Sequence, residues 1–400
     1  MSKKLVLITL EFPDRFLEEE LPHLLSSFDS VFIVAPRVKP DVDRERLIVH
    51  QLESGYRPDR AMALLKRHWL RAFKIYTYSL FSTNDFFYYI RYHRSFLGYL
   101  LKELELIAPL KKFILENDLQ EALFYDFWLV DATLALAELK KEGLIKKSIA
   151  RAHGFDLYDE RQFERRVSFR NYRIKYLDKV YVVSKHGAAY LKERVKGKFA
   201  QKIEVGYLGV SGQPSLPAVG AKPTGYFTIV SCARMIPLKR IHLIVDILKS
   251  IQLPILWVHF GDGPEMDRVS LDAGGFPSHV KCELRGNVGN AEVLEFYRTN
   301  HVDLFVSVSE SEGLPVSMME AISFGIPIFA CCVGAVNEIV NSETGVLCSP
   351  HDTVDEMGAI LVNALTKRKF DRARIVDFYK GHFNAEKNYR SFIEVLQKIG

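Results

Sequence analysis

The run Leu304-Phe305-Val306-Ser307-Val308 reads as a buried strand, and by Val316 to Ala321 the pattern is already helical, with Pro315 suited to the first helical position. The loop between them therefore carries the chain from a strand end directly into a helix N-terminus. Free backbone N–H groups and the positive end of the helix dipole make such a start an anion site that needs no lysine. Gly313, Leu314, Pro315 and Val316 form the candidate cradle, and a diphosphate fits it. Glu312 lies in the loop and Glu320 more than a turn inside the helix, so the two carboxylates are too differently placed for a catalytic dyad. An ionised carboxylate offers two accepting oxygens, which match a pair of neighbouring sugar hydroxyls, so one is suited to a hexose and the other to a ribose. On the plainer reading, Glu320 is an exposed helix residue and Glu312 only complements the dipole.

A second strand and helix carry cations to a comparable place. Arg234 ends the apolar run Phe227 to Cys232, and Lys239 and Arg240 open the amphipathic stretch Ile241 to Leu248. Cations at a helix N-terminus oppose its dipole unless an anion binds between them. Arg234 and Lys239 are read as the anion's partners and Arg240 as a surface side chain.

A chain of 400 residues, nearly half of them apolar, can build two cores, and its alternating strand and helix patterns indicate α/β architecture with two doubly wound halves. Leu5 to Leu10 is a first strand, followed by a helix beginning near Phe16, and Glu11 arrives too soon for a secretory leader. Cys232, Cys282, Cys331, Cys332 and Cys348 are odd in number and show no metal spacing, which points to a reducing, cytoplasmic setting. No uninterrupted apolar stretch reaches the length of a membrane span. Gly261-Asp262-Gly263-Pro264 begins like a dinucleotide fingerprint, but Met266 stands where the third glycine belongs. No His-x-x-x-His pair with a carboxylate and no Asp-x-Asp is present, so no metal site is expected.

The spacing of Glu312, Gly313, Pro315, Glu320, Ala321, Gly325 and Pro327 resembles the signature of the family four retaining glycosyltransferases. The likeness extends upstream to Val230 through Arg240, to Phe260-Gly261-Asp262-Gly263-Pro264-Glu265 and to Leu284-Arg285-Gly286-Asn287-Val288, and downstream to Val333 through Val340 and Gly345-Val346-Leu347. In the first half, Ile149 through Asp156 is similar to a cleft loop of that family in which a histidine reaches the donor sugar, here His153. A histidine beside glycine at a strand end can equally be a structural residue. The family's glycine-rich loop after the first strand has no counterpart in Glu11 to Phe16, which weighs against a close phosphate approach there.

The resemblance implies a GT-B fold: two Rossmann-like domains facing a deep interdomain cleft. Residues 1–210 would form an acceptor-binding domain, 211–225 a linker rich in Pro and Gly, 226–380 the nucleotide-sugar domain, and 381–400 a helix crossing back. It also implies sugar transfer with retained configuration from a nucleotide diphosphate sugar, UDP favoured over GDP, to a glycan or lipid-linked acceptor of polysaccharide or cell-envelope type. Arg234, Lys239 and the amides of Gly313 to Val316 would take the leaving diphosphate, Asn287 and Val288 the base, and His153 and Glu312 the sugar. No metal and no cofactor besides the donor would take part. An epimerase of the same architecture and a non-catalytic nucleotide-sugar sensor remain open alternatives.

Residues 56–99 add a separate signal. Arg57, Arg60, Lys66, Arg67, Arg71, Lys74, Arg91 and Arg94 face only Asp59 and Asp85 along the sequence, and Trp69, Phe73, Tyr76, Phe81, Phe86, Phe87 and Tyr92 interleave them. This mixture suits an anionic membrane surface, which would place the protein peripherally on the inner face. Core aromatics with a solvated charged face read equally well. No nucleic-acid recognition motif is evident.

Overall fold

The computed structural model describes residues 3–14, 16–39, 47–52, 59, 61–82, 86–130, 132–212 and 225–399. The expected linker therefore lies largely outside the described residues, as do Tyr56, Arg57, Arg60 and Asp85. The chain forms two compact units, Met1–Tyr207 with Tyr389–Gly400, and Leu208–Asn388.

In the first unit the strands are β1 (Lys4–Ile8), β2 (Ser30–Ala35), β3 (Ile48–Gln51), β4 (Leu123–Asp126), β5 (Lys147–Ala152), β6 (Lys179–Val182) and β7 (Ile203–Val205). They form one parallel sheet in the order β3-β2-β1-β4-β5-β6-β7. Side chains of β1 alternate between its two faces. Val6 and Ile8 join Phe124 and the helices of residues 61–114, while Leu5 and Leu7 join Tyr125 and Leu24 on the other side. A sheet buried on both faces needs such continuous apolar strands. The first helix is Leu21–Ser27 rather than one starting near Phe16, because the described residues 9–14 and 16–20 form no helix and are pinned by Asp14. Phe392, Ile393 and Leu396 of the last helix, Ala385–Ile399, complete the cluster under β1.

The second unit holds β8 (Phe227–Cys232), β9 (Ile255–Phe260), β10 (Val280–Leu284), β11 (Leu304–Ser307), β12 (Ile328–Cys331) and β13 (Gly345–Cys348). Their order, β10-β9-β8-β11-β12-β13, is again fully parallel. Strand order reverses between β8 and β11, which pair through Leu304 with Ile229 and Phe305 with Val230. In an open parallel sheet the loops leaving the carboxyl ends at such a reversal part to either side, so they leave a crevice between them. Both units are thus Rossmann-like α/β domains.

Candidate active site

The crevice of the second sheet is lined by the loops that follow β8 and β11. They are stitched together where the Glu310 amide donates to the Leu238 carbonyl at 2.9 Å. This brings Lys239 and Glu312 face to face: Lys239 Nζ lies 2.6 Å from Glu312 Oε1. Glu312 is nearly buried, with its side chain 7% exposed, while Lys239 keeps 23%. Arg234, in the same loop as Lys239, is exposed, and its guanidinium has no hydrogen-bond or ion-pair partner among the described residues.

Arg240 does not behave as a surface residue. It adopts φ 49°, in the left-handed region, and its half-buried side chain donates to the Val308 carbonyl at 2.7 Å and the Pro350 carbonyl at 3.3 Å, with Cys331 Sγ at 3.3 Å. It therefore braces the loops after β11 and β13 against β12. The turn Pro237–Lys239 precedes it, so the helix proper is Ile241–Ser250.

Pro315 is the cap of the helix Val316–Ser323 rather than its first residue. The first amides of that helix, at Val316 and Ser317, have no intrahelical carbonyl to bond, and the helix begins four residues after Glu312. Gly334, at φ +54°, presses on this loop so closely that a Cβ there would stand 1.8 Å from the Glu312 carbonyl oxygen. Glu320 is buried within the helix, and its charge is felt by the buried Tyr297 hydroxyl, which burial foremost, then Cys232 and Glu320, push well above the ordinary phenol range. Asn287 and Val288 follow β10, whose loop is tied to that of β9 where the Gly261 amide donates to the Gly286 carbonyl at 2.8 Å. β10 is two strands from β8, so its loop stands roughly 10 Å farther along the sheet edge. The second unit thus brings together Lys239, Glu312 and the 313–316 cradle, with Arg234 beside them and the 287–288 loop at a distance.

His153 belongs to the first unit, just beyond β5. Its ring packs against Phe127 and Trp128, with centroids 4.7 and 4.3 Å away, and is buried. Asp156 Oδ1 accepts the His153 amide at 2.8 Å, but Oδ2 is 3.8 Å from Nδ1, beyond hydrogen-bond reach. Neither ring nitrogen has a hydrogen-bond partner among the described residues. A buried imidazole so placed can still donate to, or accept from, a ligand hydroxyl.

Sequence reasoning passed over Asp14, which accepts from Thr9 Oγ1 at 3.0 Å, Trp128 Nε1 at 3.1 Å and the Phe16 amide at 3.0 Å, and so fixes the aromatic wall against His153. It also passed over the fully buried ion pair of Arg151 with Glu20. An arginine inside the apolar run Ile149 to Ala152 was the available signal, since a buried guanidinium demands a partner. Among the described residues no three His, Cys, Asp or Glu side chains gather as metal ligands, and no helix is long and apolar enough to cross a membrane.

Residues 213–376 match the family described as glycosyl transferases group 1. These residues fall in the second unit, Leu208–Asn388. The chain is 32% identical over 118 residues to sulfoquinovosyl transferase SQD2 of Arabidopsis thaliana, covering 28% of this chain and 22% of that protein. It is 24% identical over 220 residues to the putative colanic acid biosynthesis glycosyltransferase WcaL of Escherichia coli, covering 53% and 54%. The matches thus span from about a fifth to about half of the curated relatives' length. Over nearly the whole chain the fold is that of GT-B enzymes. The lipopolysaccharide outer core galactosyltransferase WaaB superposes with a TM-score of 0.69 at 15% identity, covering 98% of this chain and 99% of WaaB. Anabaena HepE in complex with UDP-glucose superposes with a TM-score of 0.68 at 14% identity, covering 99% of each chain.

Proposed function

We propose that this protein is a retaining, metal-independent glycosyltransferase of polysaccharide or cell-envelope glycan synthesis, using a nucleoside diphosphate sugar as donor. The observation that carries this is the Lys239–Glu312 contact at 2.6 Å beside a free helix N-terminus, at the strand reversal of the unit that matches the group 1 family. Breaking the anomeric bond puts negative charge on the leaving diphosphate. Lys239, Arg234 and the amides of Gly313 to Val316 supply fixed positive potential for that charge, which is worth most in the transition state. Glu312 and His153 recognise the sugar, Glu320 the ribose, and Asn287 and Val288 the base. UDP is favoured over GDP, in keeping with the UDP-glucose bound by HepE. The names of the relatives WcaL and TuaC of Bacillus subtilis, a putative teichuronic acid glycosyltransferase, support a glycan or lipid-linked acceptor.

The helix Ala61–Ser82 supports delivery of that acceptor at an anionic membrane. Met62, Trp69 and Phe73 are exposed at helical spacing, with Lys66 and Lys74 among them, and Phe81, Phe87 and Ile90 continue the exposed apolar surface. Of the arginines expected to join them, Arg71 pairs with Glu138 and Glu142, while Arg67 stays exposed, 3.6 Å from Glu105. Tyr89 and Phe96 are core, and Tyr76 and Tyr92 pack against it. The test of the enzymatic reading is a thermal-shift screen of nucleotide sugars followed by acceptor trials. Stabilisation by no nucleotide sugar, or turnover only as epimerised donor, would sink it.

A further inference from the structure

Cys331 and Cys348 are register partners on the neighbouring parallel strands β12 and β13, so both side chains leave the same face of the sheet. Their sulfurs lie 3.4 Å apart, both are free thiols, and both are buried in the apolar cluster that holds Val308 and Phe329. Neighbouring strands run about 4.8 Å apart, which lies inside the roughly 4.4–6.8 Å that a disulfide allows between its Cα atoms. The strands can therefore keep their register while the two sulfurs join.

A third group sets the chemistry of the pair. Arg240 Nη2 stands 3.3 Å from Cys331 Sγ, and its guanidinium cannot be deprotonated in a folded protein. The contact with Cys348 foremost, then the Arg240 charge, hold the Cys331 thiol below its ordinary range, against burial and the opposing charge of Asp352. The same contact, together with burial, pushes the Cys348 thiol up. Burial wins at Cys282, which is pushed up to about 12 by burial first and Glu283 second. Cys331 thus has the thiolate character that reaction with an oxidant requires, and Cys348 lies against it as the second sulfur.

We propose that Cys331 and Cys348 form a redox modification site, which hydrogen peroxide converts to a disulfide linking β12 to β13. A small uncharged oxidant suits thiols buried among apolar side chains. The Cys331 thiolate attacks one peroxide oxygen, the O–O bond breaks, and the departing hydroxide takes up the proton that Cys331 released, leaving as water. The Cys331 sulfenic acid is then attacked by the Cys348 sulfur, so the S–S bond forms, the S–O bond breaks, and the second water carries away the Cys348 proton. Two thiols lose two electrons in all, and peroxide is reduced to two waters. The bond staples β13, the last strand in the sheet order, to β12. It also takes the thiolate from Arg240, which keeps the carbonyls of Val308 and Pro350. No nucleotide enters this proposal, so it stands apart from the donor reading.

Peptide mapping of the folded wild-type protein after hydrogen peroxide tests it, with remaining thiols alkylated in denaturant. A glutamate-specific protease is needed, because Glu338 and Glu343 lie between the two cysteines and no Lys or Arg does. A Cys331–Cys348 cross-linked peptide should appear, the intact chain should lose two hydrogens, and dithiothreitol should restore both thiols. The bond should form at least about tenfold faster in the folded protein than in guanidinium chloride, where the sulfurs are no longer held together. Arg240→Gln should slow it about tenfold, whereas a merely structural loss would expose the thiols and speed it. Cys332→Ser removes the exposed neighbouring thiol and should leave the cross-link intact. Three results overturn the proposal: both thiols still alkylated after peroxide, a cross-link through Cys332 or Cys282 instead, or a rate undiminished in guanidinium chloride or in Arg240→Gln.

Discussion

Lys239 Nζ and Glu312 Oε1, 2.6 Å apart, join the loops after β8 and β11, so the cation proposed for the diphosphate and the carboxylate proposed for the sugar share one contact. Removing either side chain leaves the other without its partner. Lys239→Ala is therefore expected to lower kcat by something on the order of tenfold to a thousandfold, and Arg234→Ala to act in the same direction. The double variant Lys239→Ala/Glu312→Ala should be little worse than the poorer single one, because residues sharing one contact are not additive. Steady-state kinetics of the four proteins decide it, and strictly additive losses would show the pair to be incidental.

Glu320 and Glu312 are expected to separate in calorimetry. Glu320, buried inside the helix Val316–Ser323, should be needed for free UDP and UDP-sugar alike, so Glu320→Ala weakens both. Glu312→Ala should weaken only the sugar nucleotide. Equal loss of UDP affinity in both variants would remove the division between ribose and hexose.

Gly334 offers a steric test of the same loop. Its φ of +54° and the 1.8 Å approach of a Cβ to the Glu312 carbonyl mean that Gly334→Ala must move Glu312 or its own backbone. Strain of this kind costs roughly 1–3 kcal/mol, with the displaced loop added. Gly143 is the control, since its φ is +77° and a Cβ there meets nothing within 4 Å. Denaturant midpoints should fall further for Gly334→Ala than for Gly143→Ala, and only the former should lose sugar-nucleotide binding.

The strand, loop and helix around Glu312 were legible because a short apolar run followed by Pro315 admits few other structures. The partnership with Lys239 was not, because 73 residues separate the two and only the adjacency of β8 and β11 in the sheet joins them. Arg240 looked like Lys239's solvated neighbour, yet one left-handed residue turns it inward to three acceptors. Arg71 seemed unopposed for a related reason: its acids, Glu138 and Glu142, come from a distant part of the chain that packs against its helix. Local pattern reports elements and faces, while charge pairing across crossovers depends on topology.

His259, unremarked in the strand Ile255–Phe260, should make the second unit acid-sensitive. Burial pushes its pKa down to about 4, from an ordinary value of 6.5, against the raising effect of the Ala233 carbonyl 3.1 Å from Nε2. Trp257 Nε1 donates to Ser231 Oγ at 2.9 Å, and Ser231 Oγ lies 2.7 Å from His259 Nδ1, an arrangement suited to a neutral ring. The unfolded chain therefore binds the extra proton between about pH 6.5 and pH 4. The stability contributed by the neutral ring is full above that window and is lost as pH falls through it, by roughly 3 kcal/mol in all. Denaturation of wild type and His259→Gln across this range should show a shallower acid slope in the variant. Parallel slopes would assign the acid sensitivity to other groups.

The exposed face of Ala61–Ser82 gives the last expectation. Met62, Lys66, Trp69 and Phe73 recur every three or four residues and so share one side of the helix, which a folded core does not cover. Trp69 and Phe73 are 57% and 63% exposed, more apolar surface than scattered single residues explain. Lysines close to an anionic surface add about 1 kcal/mol each, and this attraction weakens with salt, whereas the apolar contact does not. Trp69→Ser/Phe73→Ser should therefore reduce co-sedimentation with phosphatidylglycerol vesicles at every salt concentration. Lys66→Glu/Lys74→Glu should reduce it mainly at low salt. Arg71→Glu is unsuited to this test, because it would break the pairs with Glu138 and Glu142 and report folding instead. Vesicle binding that is absent in wild type, or unaltered by both double variants, would leave this face without a membrane role.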